Sequence, residues 1–231
     1  MKNRNVINDR LLIEALDEKS KAWLIIRCFY DHSIDLSNPS DSLQLNVLTN
    51  SQVCDIILRL LLKTKCRDII GIIKQDFDSF KINKSDICQF SSFDDCYYRV
   101  IDLIIRSGIE GVSWERMGFM LRSKPRTTVA DTKYGENHGK TAVMMGLCRM
   151  DNKHKFITTA FGDSFNKLSK SDKVNLKAKI CLYIPIIQNY FANDNGDSLM
   201  DEYFKSLSES TQKRRRPNIN YLIQLVKEDI K

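Results

Sequence analysis

The chain has 231 residues, of which 42% are hydrophobic and 28% charged, and its formal net charge is +7 at pH 7. This length allows one large domain or two small ones with buried cores, and helical periodicity dominates the pattern. No apolar run reaches the ~18 residues that a membrane-spanning helix needs. Residues 1–10 are too polar for a secretory signal, so we expect a mainly α, cytoplasmic protein without a membrane partner.

The positive charge is concentrated in two segments. Residues 106–156 carry 10 basic and 5 acidic side chains, and residues 205–231 carry 7 and 3. Elsewhere the balance is nearly neutral, with 14 against 15 in residues 1–105 and 5 against 6 in residues 157–204. Phosphate-contacting surfaces on a neutral scaffold have this distribution, which favours a nucleic acid as the partner.

The cysteines give no indication of a metal centre. They are scattered, without a C-x-x-C pair and without a histidine at zinc-finger spacing. We therefore expect no structural zinc, and we expect most of the thiols to be reduced core residues. The seven are Cys28, Cys54, Cys66, Cys88, Cys96, Cys148 and Cys181.

Residues 1–90 are predicted to form a helical N-terminal domain. Amphipathic periodicity covers residues 11–30 and 53–80, with a loop at residues 38–42. The run over residues 56–62 is apolar on almost every side, which places its helix at the centre of the domain. Ser91 and Ser92 precede a new helical period, so we place domain boundaries to give segments 1–90, 91–168 and 169–231.

The segment 93–168 has the element order of a winged helix-turn-helix. Residues 94–107 carry an apolar stripe at helical spacing, and Gly108 ends that helix. Ser113 is placed to cap a second helix over residues 114–121. Arg116 rather than Glu stands three residues after it, so no capping box is formed.

A third helix is predicted to begin after Gly135 and to act as the recognition helix. The polar residues 136–140 would then occupy its first turns, where such a helix meets base edges. Residues 147–150 and 155–159 suit two strands, and the polar turn 151–154 between them would complete a wing.

The last part of the chain, residues 169–231, is predicted to be helical. A capped helix follows Ser169, and Pro185 should break or kink it. A short helix at 199–207, a polar turn at 208–211 and a basic helix at 211–227 predict a possible second helix-turn-helix without a wing. We expect Pro217 to weaken the continuity of the basic helix.

Several short motifs between residues 134 and 216 carry a family resemblance. They are Gly135-Glu136-Asn137-His138-Gly139-Lys140 with Ala142 and Gly146-Leu147, then Phe156-Ile157-Thr158, Ala160-Phe161-Gly162, Ile184-Pro185-Ile186, Leu207-Ser208-Glu209-Ser210-Thr211 and Lys213-Arg214-Arg215-Arg216. With them, about residues 93–226 resemble a winged-helix type of prokaryotic restriction endonucleases and related defence or mobile-element proteins. Pro217 departs from the pattern of that family.

The resemblance implies a DNA-binding module that elsewhere accompanies a nuclease domain. It carries over no catalytic residue. The function it implies is recognition of DNA within a restriction, defence or mobile-element system.

Three residues of the predicted recognition helix are candidates for contact with DNA. Asn137 suits adenine, and Lys140 suits guanine or the phosphate backbone. His138 is a third candidate, although a local hydrogen bond explains a lone histidine equally well. A capped helix start after Gly135 is the alternative explanation for this polar stretch.

Basic residues outside that helix are candidates for phosphate contacts. One group precedes the recognition helix, where the DNA backbone passes close in this fold, a second lies at the wing tip, and a third opens the last helix. A solvated basic surface is the alternative for each group. The candidates are Arg122, Lys124, Arg126, Thr127, Lys153, Lys155, Lys213, Arg214, Arg215 and Arg216.

A metal-dependent nuclease would need an Asp followed at a distance by Asp or Glu, any residue, and Lys. Asp17-Glu18-Lys19 and Asp151-Asn152-Lys153, the latter with Asp131 upstream, are loose matches, and such short patterns often arise by chance. The chain has no glycine-rich phosphate loop or nucleophile elbow. We therefore predict no catalytic residue, metal or cofactor.

The sequence thus predicts a DNA-binding protein whose partner is double-stranded DNA. The neutral N-terminal half suggests a further protein partner or self-association. Two alternatives stay open: a non-catalytic interaction subunit that uses the winged helix as a docking surface, and a divergent metal-dependent nuclease.

Overall fold

The computed structural model describes residues 50–76, 82, 87–124 and 126–231, and these form a mainly helical structure with a small sheet. In chain order the described elements are α1 (Asn50–Lys63), α2 (Cys66–Asp76), a π-helical turn (Asp95–Arg99), α3 (Val100–Arg106), β1 (Val112–Ser113), α4 (Trp114–Leu121), α5 (Thr128–Met144), β2 (Cys148–Met150), β3 (Lys155–Thr158), α6 (Ala160–Asn166), α7 (Lys170–Cys181), α8 (Pro185–Ala192), α9 (Gly196–Lys205) and α10 (Glu209–Ile230). The predictions for residues 1–49 and 77–80 lie outside the described residues.

The apolar stretch predicted over 53–80 forms two helices where it is described. The break falls at Thr64, whose backbone N–H and side-chain hydroxyl both donate to Leu60 O and so close the end of α1. Ile57, Leu58 and Leu61 are at most 1% exposed. The burial predicted for this run is confirmed.

The helix predicted over 94–107 is also confirmed, with a π-helical turn at its start. Gly108 ends it with a φ of 74°, a value that glycine adopts without a Cβ clash. Two residues of β1 follow, and Ser113 Oγ accepts a hydrogen bond from the N–H of Arg116. The predicted N-cap of the next helix is therefore correct.

The predicted start of the third helix is wrong. Helix α5 begins at Thr128, where Thr127 Oγ1 caps it by accepting from the N–H of Ala130. Gly135 lies inside the helix and not before it. Residues 136–140 therefore occupy the middle turns of a 17-residue helix and not its first turns.

The reason for Gly135 is close packing between α4 and α5. A Cβ on Gly135 would lie 1.9 Å from Trp114 O, and a Cβ on Gly118 would lie 1.7 Å from Asp131 O. Only glycine lets the two backbones approach this closely. Gly135, which the sequence pattern placed before the third helix, is thus a point of close contact between α4 and α5.

A three-stranded antiparallel sheet in the order β1-β3-β2 packs beside these helices. The two strands and the polar turn predicted at 147–159 are observed within one residue. Asp151 Oδ1 accepts from the backbone N–H groups of Lys153 and Lys155, and His154 between them has a φ of 58°. The ring of Phe156 packs on the bare backbone of Gly139, which joins the sheet to α5.

Two prolines in the C-terminal part behave differently from one another. Pro185 occupies the first turn of α8, so the predicted break after α7 is confirmed. The predicted weakening at Pro217 is wrong, because α10 runs without interruption from Glu209 to Ile230. Residues after the proline are buried, namely Ile219, Leu222, Ile223 and Val226, and this packing offsets the hydrogen bond that proline cannot donate.

The boundaries of the short segments before α10 also differ from the prediction. Helix α9 starts at Gly196 rather than at residue 199, and residue 208 is the N-cap of α10 rather than part of a longer turn. Only three residues, 193–195, separate α8 from α9.

One hydrophobic cluster contains buried residues from most of the described elements. Helix α1 packs against α6 and α7, and α2 packs against α7, α8 and α10. Tyr97 Oη donates to Lys173 O over 2.7 Å, which ties the π-helical turn to α7. The proposed domain boundaries stay a prediction.

The six described cysteines are unpaired and buried, as expected. Burial raises the pKa of the Cys54 and Cys88 thiols to about 12. These thiols are therefore protonated at neutral pH and serve as small apolar core groups.

Across the described segments, every helix is too short or too polar to cross a lipid bilayer.

Candidate functional site

A cleft of about 990 Å³ opens beside α5. Its walls are the chain before and within the π-helical turn, the end of α4, the segment between α4 and α5, and the start of α10. Six cationic side chains line it, against the single carboxylate of Asp95. The six are Arg99, Arg122, Lys124, Arg126, Lys133 and Arg214.

Arg122 is held by a buried carboxylate. Its Nη1 donates to Asp131 Oδ1 over 3.1 Å, and the side chains of the two residues are 15% and 5% exposed. The same carboxylate accepts from the backbone N–H of Arg126 over 3.2–3.3 Å. Asp131 therefore fixes the segment between α4 and α5 onto the first turn of α5.

Arg99 closes the end of helix α4. Its Nη1 donates to Leu121 O over 2.7 Å and to Asp95 Oδ1 over 2.8 Å, and its Nη2 donates to Met120 O over 3.3 Å. Arg99 thereby satisfies carbonyl groups that the helix end leaves without an intrahelical partner. Its position four residues after Asp95 on one helix was a detectable signal that the sequence analysis missed.

A polar network forms the floor of the cleft. Tyr134 Oη donates to Asp95 Oδ2 and accepts from Ser91 Oγ, both over 3.1 Å. The Tyr134 ring lies between the Arg122 guanidinium, 4.3 Å from its centroid, and the His138 ring at 3.9 Å. These contacts hold the floor in one arrangement before any ligand arrives.

His138 is a structural member of that network. Its Nδ1 lies 2.8 Å from Tyr134 O, a pure acceptor, and its Nε2 lies 3.3 Å from the N–H of Ser91, a pure donor. The ring is therefore neutral, with its proton on Nδ1. Burial lowers the pKa of His138, which agrees with the neutral form.

The DNA contact predicted for His138 is not available in this arrangement. The residue is 2% exposed, and both ring nitrogens are occupied by backbone groups. His138 can therefore line the floor of the cleft but cannot contact DNA.

Asn137 and Lys140 are half-buried, and they lie in the middle of α5 and not at its start. Lys140 Nζ donates to Glu136 Oε1 over 2.6 Å and lies 5.0 Å from the Trp114 ring. Although partial burial opposes ionisation, hydrogen bonds from Lys133 and Lys140 lower the pKa of Glu136. Both lysines are thus held by one carboxylate on the face of α5.

The start of α5 presents an exposed side to solvent, although Asp131 in its first turn is buried. Thr128 and Lys133 are exposed, and Val129 is 80% exposed although it is apolar. Thr127 is exposed as well, but its hydroxyl caps the helix. The residues available to a partner at this end are therefore those that the sequence analysis assigned to the preceding loop.

Lys124 and Arg126 are exposed beside that first turn. Neither forms an ion pair with another described residue. Arg126 is used structurally only through its backbone N–H, so its guanidinium is available to a partner.

The two basic residues predicted at the hairpin differ in availability. Lys153 is exposed at the turn between β2 and β3. Lys155 is half-buried, and its Nζ donates to Glu110 O over 3.2 Å.

The four basic residues at the start of α10 have different surroundings. Arg216 pairs with Asp201 at 2.9 Å and lies over the Phe204 ring at 4.6 Å, so it joins α10 to α9. Arg215 is half-buried and lines a smaller cavity of about 130 Å³, whereas Lys213 is exposed outside the cleft. Arg214 lines the cleft together with Lys124 and Arg126.

The structure therefore brings together two candidate groups that are about ninety residues apart in the sequence. It does not bring the hairpin lysines into the cleft. Ser91, Asp95, Arg99, Lys133 and Tyr134 also line it, and sequence reasoning missed all five as site residues.

The described residues of the loose nuclease motifs do not form a metal site. Asp131 is covered by Arg122, and Asp151 is bonded to the backbone of its own turn. Among the described residues, no group of three His, Cys, Asp or Glu side chains is placed to hold a metal ion. Asp17-Glu18-Lys19 lies outside the described residues.

Comparisons of the chain with family models, with curated proteins and with solved structures gave no significant match.

Proposed function

We propose that residues 93–158 form a winged helix-turn-helix that binds double-stranded DNA. In this assignment α3, α4 and α5 are the three helices, α5 is the recognition helix, and the hairpin of β2 and β3 is the wing. The element order and the antiparallel sheet in the order β1-β3-β2 support the assignment.

The observation that carries the proposal is the unpaired basic surface beside the exposed start of α5. Lys124 and Arg126 lie just before the start of α5, where the positive end of the helix dipole is directed. Phosphate groups bind such sites through charge and through free backbone N–H groups.

The residues proposed to face base edges differ from those predicted from the sequence alone. On the outer side of α5 they are Thr128, Val129, the half-buried Thr132 and Lys133, whose 65% exposed side chain would exchange Glu136 for a base edge, in place of Asn137, His138 and Lys140. Threonine hydroxyls and lysine can hydrogen-bond base edges in the major groove, and Val129 can contact the methyl group of thymine.

The hairpin supplies a second phosphate contact in this proposal. Lys153 is exposed at the tip, and Asp151 and the left-handed residue His154 fix the shape of the turn. Because the contact is electrostatic, it should contribute to affinity but not to sequence preference.

The biological setting proposed is a prokaryotic restriction, defence or mobile-element system, with a protein partner or self-association through the N-terminal half. This part rests on the resemblance over about residues 93–226 and on the neutral charge of residues 1–105.

The test is fluorescence anisotropy of a labelled random duplex, measured over a range of salt concentrations. The variant Lys124→Ala/Arg126→Ala should weaken binding and reduce the slope of log affinity against log salt by about 2, because two phosphate contacts are lost. The control Lys63→Ala/Lys65→Ala removes the same charge from two exposed side chains, at the end of α1 and in the turn that follows it.

Arg122 is excluded from the variant because its loss would disturb Asp131. Equal weakening by the two double variants would reduce the effect to net charge and overturn the assigned surface. Absence of binding at low salt would overturn DNA binding itself.

A further inference from the structure

The cleft beside α5 holds more positive charge than its neighbouring carboxylates balance. Three of its six cations are paired, Arg99 with Asp95, Arg122 with Asp131 and Lys133 with Glu136. The other three, Lys124, Arg126 and Arg214, form no ion pair with any described residue. An excess of about three positive charges therefore faces the same space.

These three cations come from distant parts of the chain. Lys124 and Arg126 belong to the segment between α4 and α5, and Arg214 belongs to the second turn of α10. Gathering like charges into one concave site costs electrostatic free energy unless an anion binds there. The arrangement is thus typical of an anion site.

The chain holds its two sides in place independently of any ligand. Asp131 fixes the α4–α5 segment by accepting from Arg122 and from the backbone of Arg126. Asn218 fixes the other side, since its side-chain amide exchanges two hydrogen bonds with the backbone of Phe90, at 2.9 and 3.2 Å. The backbone of the site therefore needs little rearrangement when a ligand binds, and the conformational cost falls on the three cationic side chains.

The size and the polarity of the cleft restrict the ligand. A volume of about 990 Å³ is at the upper end of the range for small-molecule sites. The described lining combines the Ser91 hydroxyl and the polar residue Asn137 with apolar surface, and the half-buried residue Phe90 is part of it. A polar anion with an attached ring system fits this lining better than a lipid chain.

We propose that the cleft binds the pyrophosphate group of a small ligand, with Arg214 on one side and Lys124 and Arg126 on the other. Inorganic pyrophosphate and a terminal diphosphate carry about three negative charges near neutral pH, which matches the three unpaired cations among the described lining residues. Arginine guanidinium groups bind phosphate oxygens through paired hydrogen bonds. Inorganic pyrophosphate and nucleoside diphosphates share this chemistry.

This site shares Lys124 and Arg126 with the proposed DNA surface and adds Arg214, so it binds a different ligand with part of the same surface. Arg214 lines the cleft and is not part of the outer face of α5 or of the hairpin. A ligand in the cleft can therefore be measured on the full chain with no DNA present.

The experiment is isothermal titration calorimetry of the full-length protein with inorganic pyrophosphate and, in a second arm, with adenosine diphosphate. Sulfate at matched ionic strength serves as the reference for general anion binding. We expect saturable binding of pyrophosphate that Arg214→Gln weakens at least about tenfold. Lys213→Gln, the neighbouring exposed charge outside the cleft, should change the affinity less than about twofold. Circular dichroism and urea unfolding establish that both variants are folded.

Tighter binding of the nucleotide than of pyrophosphate, lost when Phe90 is changed to Ala, would extend the site to the base. Equal binding of the two ligands would limit it to the phosphates.

The proposal is overturned if pyrophosphate binds no better than sulfate, or if Arg214→Gln and Lys213→Gln weaken it equally. It is also overturned if the protein binds no pyrophosphate but Arg214→Gln lowers the affinity for duplex DNA, because the cleft would then be part of the DNA surface. Failure of DNA binding alone would leave the pyrophosphate result unaffected.

Discussion

The guanidinium of Arg122 donates to the carboxylate of Asp131 over 3.1 Å, at a position where Asp131 is 3% exposed. This ion pair joins the end of α4 to the first turn of α5, and the N–H of Arg126 adds a second link to the same carboxylate. Arg122 is therefore part of the scaffold that presents Lys124 and Arg126. Any test of the basic surface has to leave Arg122 unchanged.

Asp131→Ala should lower the free energy of unfolding by about 3 kcal/mol, because it leaves a nearly buried guanidinium and a backbone N–H without their acceptor. The double variant with Arg122→Ala should cost less than the sum of the single changes, with a coupling of about 1–3 kcal/mol. Urea unfolding of the four proteins measures this cycle. Additive effects would contradict the scaffold role of the pair.

Gly118→Ala should destabilise the protein by at least about 1–3 kcal/mol, since the new Cβ would meet the backbone of Asp131 and force α4 and α5 apart. Gly71→Ala in α2 is the matched control, because nothing lies within 4 Å of its Cβ position. That change should stabilise the protein by about 0.5–1 kcal/mol through helix propensity. Equal effects of the two substitutions would refute the close crossing.

Stability should depend on pH through His138. Burial lowers its folded-state pKa below the ordinary value of 6.5, so the unfolded chain takes up the proton first. Above that value His138 is neutral in both states and the free energy of unfolding is at its full value. As the pH falls below it, proton uptake by the unfolded chain lowers the free energy of unfolding. We expect the free energy of unfolding, measured with urea from pH 7 to pH 5, to fall more steeply with decreasing pH in the wild type than in His138→Asn. The two slopes should differ by up to about 1.4 kcal/mol per pH unit. Parallel curves for the two proteins would exclude a neutral buried imidazole.

The two lysines of the hairpin should differ in their contribution to DNA binding. Lys153→Ala should reduce the salt slope by about 1, because its exposed ammonium is free to neutralise one phosphate. Lys155→Ala should have a smaller effect, since its ammonium already donates to Glu110 O. Anisotropy titrations at several salt concentrations compare the two, and a larger effect of Lys155 would contradict the assignment of Lys153 as the phosphate contact.

Pro217→Ala should raise the free energy of unfolding by about 1–3 kcal/mol. It restores a backbone hydrogen bond inside α10, and alanine is the better helix former. Thermal and urea unfolding measure the gain. A loss of stability would mean that the proline ring makes a packing contact that outweighs its cost, in contrast to its exposed position.

Local signals in the sequence determined much of the secondary structure. Ser113 as an N-cap, Gly108 as a helix end and Pro185 in a first turn each act through backbone groups within a few residues. The alternation around residues 148–158 determined the hairpin in the same way. Such features can be predicted because both partners of each interaction are neighbours in the chain.

The site itself depended on contacts that no local pattern contains. Gly135 resembles a boundary in the sequence, but the backbone of Trp114, 21 residues earlier, requires it inside α5. The start of α5 is set by the local Thr127 cap, which the sequence analysis overlooked, whereas the packing of α5 against its neighbours leaves His138 in the interior. Arg214 meets Lys124 and Arg126 only because α10 packs back on the body of the fold. Tertiary packing therefore decided which charges converge, since burial and electrostatic attraction act on distance in space and not on separation along the chain.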